Sequence, residues 1–125
     1  MTPRFFYCEY CGKLITICDD SITTDTVCCG ETMKELIPNT TDGAREKHVP
    51  MVQFDGYHVT IHVGATDHPM GDDNYIVWIK LVTNEGIYTK YLIPNTRPVA
   101  SFVLQPGETP VRVYAYCNIH GLWST

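Results

Sequence analysis

No run of apolar residues in this chain approaches the ~20 needed for a bilayer-spanning helix. The first residues, MTPRFFYCEYCG, lack an apolar stretch followed by a small-residue cleavage site, so they do not read as a secretory signal. Basic residues are scarce: 9 Lys and Arg stand against 14 Asp and Glu, for a net charge of −5, and they form no cluster. That balance argues against binding nucleic acid through its phosphates. Helical periodicity, internal repeats and low-complexity segments are also missing. These absences lead us to expect a cytoplasmic protein whose partners are neither membranes nor nucleic acids. What is present suits a globular fold, with 44% hydrophobic and 11% aromatic residues. A length of 125 residues fits one ordinary domain, or two small ones if something besides an apolar core staples them.

Cysteine is the exception to this scarcity. There are six, five of them within the first 29 residues, and Cys28 and Cys29 are adjacent. Clustered cysteines in a reducing compartment hold metal or do redox work more often than they form disulfides. Cys8-Glu-Tyr-Cys11 is a CxxC knuckle, and Cys28-Cys29 follows after sixteen intervening residues. Four thiolates so spaced can close a tetrahedron around one metal ion, with iron and zinc undecided by spacing alone. Gly12 and Gly30, each directly after a cysteine, allow the tight turns that aim backbone amides at sulfur. Cys18, in ITICDD, is left over and is expected to be a packed free thiol.

The chain divides by composition. Residues 1–37 carry most of the cysteines and little apolar core, with short strands expected at RFFYC, KLITICD and ETMKELI. A metal would supply the missing staple. IPNTTDGA, at 37–44, reads as a linker. Beyond it the pattern is strand-like. In YHVTIHV the residues Tyr57, Val59, Ile61 and Val63 share one face, and His58, Thr60 and His62 share the other. YIVWIKLVT, IYTKYLI and the pair within SFVLQPGETPVRVYAYC complete a set of short strands separated by turns. The reading is all-β, with a small metal-binding domain at 1–37 and an immunoglobulin-like β-sandwich at 38–125.

Histidines supply the second candidate site. His48 lies in EKHVP, His68 in DHPM and His120 in CNIHG, three residues after Cys117. Each is at an expected strand end or loop beside Pro or Gly, where distant segments can converge. His58 and His62 lie on the polar face of their strand and read as ordinary surface residues.

Taken in order, CxxC…CC, EKHVP, HPM…WI and CNIHGLW resemble the desulfoferrodoxins, the two-iron class of superoxide reductase, over essentially the whole chain. The resemblance implies a desulforedoxin-like Fe(Cys)4 domain built on Cys8, Cys11, Cys28 and Cys29. It implies a second, catalytic iron in a neelaredoxin-type sandwich domain, held by His48, His68, His120 and an axial Cys117. Superoxide would be reduced there by one electron to hydrogen peroxide. Lys47 would attract the anion and help to deliver a proton through water, and Glu46 would occupy the open position of the oxidised iron. An electron donor of rubredoxin type and a homodimer are further family expectations. One residue departs from the pattern: the remaining equatorial histidine is expected six residues after His68, and Asn74 stands there. Impaired turnover is therefore an expectation too. The rival readings are a non-enzymatic iron-binding electron-transfer protein with a degraded catalytic site, and a zinc-stabilised interaction module.

Overall fold

A computed structural model describes residues 2–125, which fall into two compact units, one ending at Ile37 and one spanning Pro38–Thr125. No helix among the described residues is long and apolar enough to cross a membrane. The described residues are all-β apart from one helical turn.

The first unit is an antiparallel sheet with a hairpin beside it. Strands β1 (Arg4–Tyr7), β2 (Leu14–Ile17) and β5 (Lys34–Leu36) pair in the order β2-β1-β5, and β3 (Val27–Cys28) pairs with β4 (Glu31–Thr32). Few side chains are buried here: among the described residues of this unit, Phe5, Cys8 and Met33 are shielded from solvent together with Pro3. So small a core cannot offset the chain's conformational entropy without a covalent or metal staple. Cys18 is exposed rather than packed. It lies one residue past the end of β2, outside the paired register, so no neighbouring strand covers it.

The second unit is a two-sheet sandwich. One sheet runs β10-β7-β6 and the other β12-β11-β8-β9. Their strands are β6 (Pro50–Asp55), β7 (His58–Val63), β8 (Ile76–Thr83), β9 (Ile87–Tyr91), β10 (Val99–Val103), β11 (Pro110–Cys117) and β12 (Gly121–Ser124). Strand alternation fills the space between them: Val59, Ile61 and Val63 of β7 meet Ile79 and Leu81 of β8 and Val113 and Ala115 of β11. His58 is exposed and His62 half-buried on the outer side of β7. Tyr57, expected to share the inner face, lies in the turn before β7 and is exposed.

The structure adds two local features. The two strands either side of QPGETP belong to different sheets: β10 pairs with β7, and β11 pairs with β8 and β12. EKHVP is not plain loop: Arg45–His48 forms a single helical turn, α1. One turn has too few internal hydrogen bonds to be stable alone. It is held from outside, by the Thr66 amide donating to the Glu46 carbonyl and the Gly64 amide to the Val49 carbonyl.

Candidate metal centres

The first site is assembled by two tight turns. Between β1 and β2, the Gly12 amide donates to the Cys8 carbonyl at 2.9 Å and the Cys8 amide to the Lys13 carbonyl at 2.9 Å. Between β3 and β4, Cys29 and Gly30 both have positive φ, 53° and 77°, as a two-residue hairpin turn of this handedness requires. A β-turn that places cysteine where glycine or asparagine is usual leaves Cys28 and Cys29 pointing to the same neighbourhood as Cys8 and Cys11. The four sulfurs lie within 4.8 Å of one another, with Cys11–Cys28 at 3.6 Å and Cys28–Cys29 at 3.9 Å.

These spacings test the fit to a metal. A tetrahedron with metal–sulfur arms of ~2.3 Å has edges of ~3.8 Å, and the two observed separations bracket that value. Their electrostatics agree. Hydrogen bonding from the Cys11 amide lowers the Cys8 thiol to about 7. Contact with Cys11 and then Cys8 pushes Cys29 up to about 12, and the same neighbours raise Cys28. Cys8 ionises readily while Cys28 and Cys29 resist, an arrangement that a bound cation resolves.

The second site draws on four segments of the sandwich unit. His48 ends α1, His68 follows β7, Cys117 ends β11, and His120 lies in the turn to β12. His48, His68 and Cys117 are buried and His120 is half-buried, and their ligand atoms also lie within 4.8 Å of one another. The outer nitrogens of two imidazoles are committed. His48 Nδ1 donates to the Ala44 carbonyl at 2.7 Å and His68 Nδ1 to the Pro69 carbonyl at 2.6 Å. Each Nε2 is then an unprotonated lone pair, and the two face each other at 3.0 Å. His48 Nε2 also meets His120 Nδ1 at 3.1 Å. Lone pairs this close repel unless a proton or a metal ion lies among them. Burial disfavours the proton: it holds His68 down to about 4 and lowers His48 in the same direction.

The angle between these nitrogens is also informative. On arms of ~2.1 Å, two nitrogens stand ~3.4 Å apart at the tetrahedral angle and ~3.0 Å apart at a right angle. The observed 3.0 and 3.1 Å match the right angle. His48 Nε2 thus stands at that spacing from both His68 Nε2 and His120 Nδ1. Cys117 Sγ, 3.8 Å from His120 Nδ1, accepts the His120 amide at 3.4 Å.

Several supports were not visible as site residues in the sequence. The His48 ring stacks on Trp123 with centroids 4.7 Å apart. Trp123 Nε1 donates to the His120 carbonyl at 3.0 Å, and Thr41 Oγ1 donates to the same carbonyl. A Cβ on Gly43 would stand 3.2 to 3.4 Å from Trp123, His48 and His120, so the backbone there passes close against the site and a side chain would press on all three. Asn39 bonds Ser124 through both its amide oxygen and nitrogen. Much of the segment read as a linker is thus packed onto β12 and walls the second site. Glu46 and Lys47 are exposed on α1, next to His48.

The family model described as Desulfoferrodoxin matches residues 40–125. A desulfoferrodoxin of Syntrophotalea carbinolica is 39% identical over 120 residues, covering 96% of this chain and 93% of the relative. One from Desulfarculus baarsii is 40% identical over 121 residues, with the same two coverages of 96% and 93%. Among solved structures, the superoxide reductase from Treponema pallidum superposes with a TM-score of 0.82 at 31% identity, over 100% of this chain and 99% of that one.

Proposed function

Because this chain belongs to the desulfoferrodoxin family, we propose that it is a superoxide reductase, converting superoxide to hydrogen peroxide by one electron and two protons. His48, His68, His120 and Cys117 would hold the catalytic iron, and Cys8, Cys11, Cys28 and Cys29 a second iron. The observation that carries this reading is the convergence of three imidazole nitrogens on one buried thiol, with two of the imidazoles locked by backbone carbonyls into the tautomer that offers a lone pair. Iron bound by these residues would supply the electron for superoxide when in its ferrous state.

The chain's own residues supply the rest. The anion approaches a protein of net charge −5, so attraction must be local, because charges beyond ~8 Å are screened at physiological salt. Lys47, exposed and adjacent to His48, would provide it and help to relay a proton through water. Glu46, its neighbour on the same turn, would offer its carboxylate to the oxidised metal. The Trp123 ring against His48 keeps bulk water from that imidazole. A rubredoxin-like donor would return the electron, and a homodimer is the proposed assembly.

Asn74 weighs towards the rival reading, an iron-binding electron-transfer protein without turnover. An amide oxygen is a poorer donor to ferrous iron than an imidazole, so metal retention should be weaker than with a fourth histidine. The deciding experiment is metal analysis and a superoxide assay on protein made in iron-rich medium. Two irons per chain with rapid superoxide loss support the reductase. Two irons without superoxide loss would favour electron transfer, and zinc in both sites of protein that stays inactive after reconstitution with iron would favour the interaction module.

A further inference from the structure

Asn74 stands where a ligand is expected, yet its side chain already has a partner. Cys117 Sγ lies 3.6 Å from Asn74 Oδ1, and the Asn74 side chain makes no other hydrogen bond among the described residues. The approach is built rather than incidental. Asn118, the residue after Cys117, accepts the Tyr75 amide on its Oδ1 at 2.9 Å. Its Nδ2 donates to the Asp73 carbonyl at 3.1 Å, and its own amide donates to the Tyr75 carbonyl at 3.2 Å. Both chain neighbours of Asn74 are thus tied to the neighbour of Cys117. From the other side, the Gly71 amide closes a turn onto the Asn74 carbonyl at 3.0 Å, and Asn95 Nδ2 donates to Asp72 at 3.0 Å.

The chemistry of the sulfur decides what this contact becomes. A thiol donates its S–H to Oδ1. Binding a metal requires the thiolate, which has lost that proton and can only accept. An amide oxygen facing a thiolate is repelled, whereas a half-turn about Cβ–Cγ puts Nδ2 in the place of Oδ1 with an N–H to donate. We infer that Asn74 is a positioning residue: in the metal-loaded protein its Nδ2–H donates to the Cys117 thiolate instead of ligating the metal. This rests on the reading of His48, His68, His120 and Cys117 as a metal site. Together with the His120 amide, it places two N–H donors on one sulfur. Two such bonds draw charge from the thiolate, favour the lower oxidation state of the metal, and move the thiolate-to-metal charge-transfer band to higher energy.

The test uses the full chain loaded with cobalt(II), read by absorption and by metal affinity. Subtracting the spectrum of the Cys117→Ser protein isolates the Cys117 band from those of the four-cysteine site. Asn74→Leu and Asn74→Ala both remove the donor. Each should move that band to lower energy by the same amount and weaken cobalt binding by about 10-fold or more. Neither should change the intensity of the ligand-field bands, because no ligand is lost; Asn74→His, which adds one, should change it. Either donorless variant alone carries the test if the other does not fold. A Cys117 band that stays in place in these variants overturns the inference, as does a ligand-field change in them that matches loss of a ligand. If the unsubstituted protein shows no Cys117-dependent band, the metal-site reading itself fails, and the role of Asn74 falls with it.

Discussion

Replacing Gly64 with alanine should loosen the second site without touching any residue that would hold metal. Gly64 follows β7 at φ +90°, between the two segments that carry His48 and His68. A Cβ there would stand 2.7 Å from the Lys47 carbonyl oxygen and closer still to that of Thr66. Both obstacles are backbone, so neither can rotate away, and α1 or the loop before His68 must move. The conformational cost of an L-residue in this region is about 1–2 kcal/mol. Overpacking adds about 1–3 kcal/mol, for a total of about 2–5 kcal/mol. Two other glycines separate these contributions. Gly107 has φ +83° with nothing within 4 Å of an added Cβ, so Gly107→Ala should show the conformational cost alone. Gly86 has open space and no positive φ, so Gly86→Ala should change stability by less than about 1 kcal/mol. Urea unfolding followed by tryptophan fluorescence suits the comparison, because both tryptophans, Trp78 and Trp123, lie in the sandwich unit. Gly64→Ala should be the least stable of the three and the fastest to lose metal. Equal losses for Gly64→Ala and Gly107→Ala would refute the packing argument.

Cys28→Ser should remove one metal ion per chain and the associated thiolate bands, while the tryptophan-monitored unfolding of the sandwich stays within about 0.5 kcal/mol, which elemental analysis and urea titration together check. Lys47→Ala should slow superoxide consumption by about 10-fold at low salt and flatten its dependence on ionic strength; stopped-flow rates at several salt concentrations measure both. The metal-free protein should lose stability in acid. His68 titrates at about 4 when folded against an ordinary 6.5, so the unfolded chain takes the proton first. Its contribution is fully present above 6.5 and declines as the pH falls towards about 4, with His48 acting in the same direction. Urea midpoints across that window should fall in the metal-free protein, and a flat profile would contradict the buried neutral imidazoles.

Local patterns proved legible in the sequence, and long-range placement did not. The alternation of Val59, Ile61 and Val63 marks the inner face of β7, because strand period is a property of the chain itself. The CxxC knuckle and the Cys28-Cys29-Gly30 turn announce a four-sulfur cluster, since the turns that gather the sulfurs are only a few residues long. His48, His68 and His120 are visible as separate loop histidines, but their meeting depends on strand order across two sheets, and the family resemblance supplied it. Asn118 and Trp123 lie within CNIHGLW but carry no assigned role in the sequence reading, because what they do is set by partners tens of residues away or across a sheet. The same holds for Asn39, Thr41 and Gly43, whose Pro-Asn-Gly composition reads as a linker whether or not another strand lies beneath it. Cys18 shows the converse: an apolar sequence neighbourhood does not bury a residue that lies beyond the end of its strand.

Superoxide reduction at the His48, His68, His120 and Cys117 site is what the proposed function requires. Its most direct test is the yield of hydrogen peroxide when the reduced, iron-loaded protein meets a limited pulse of superoxide. Reduction gives one peroxide for each superoxide consumed and no dioxygen, whereas dismutation gives one for every two, with dioxygen released. The account predicts the one-to-one yield in the unsubstituted protein and its loss in Cys117→Ser that still retains the four-cysteine metal. A one-to-two yield, or an unchanged one-to-one yield in Cys117→Ser, would contradict it.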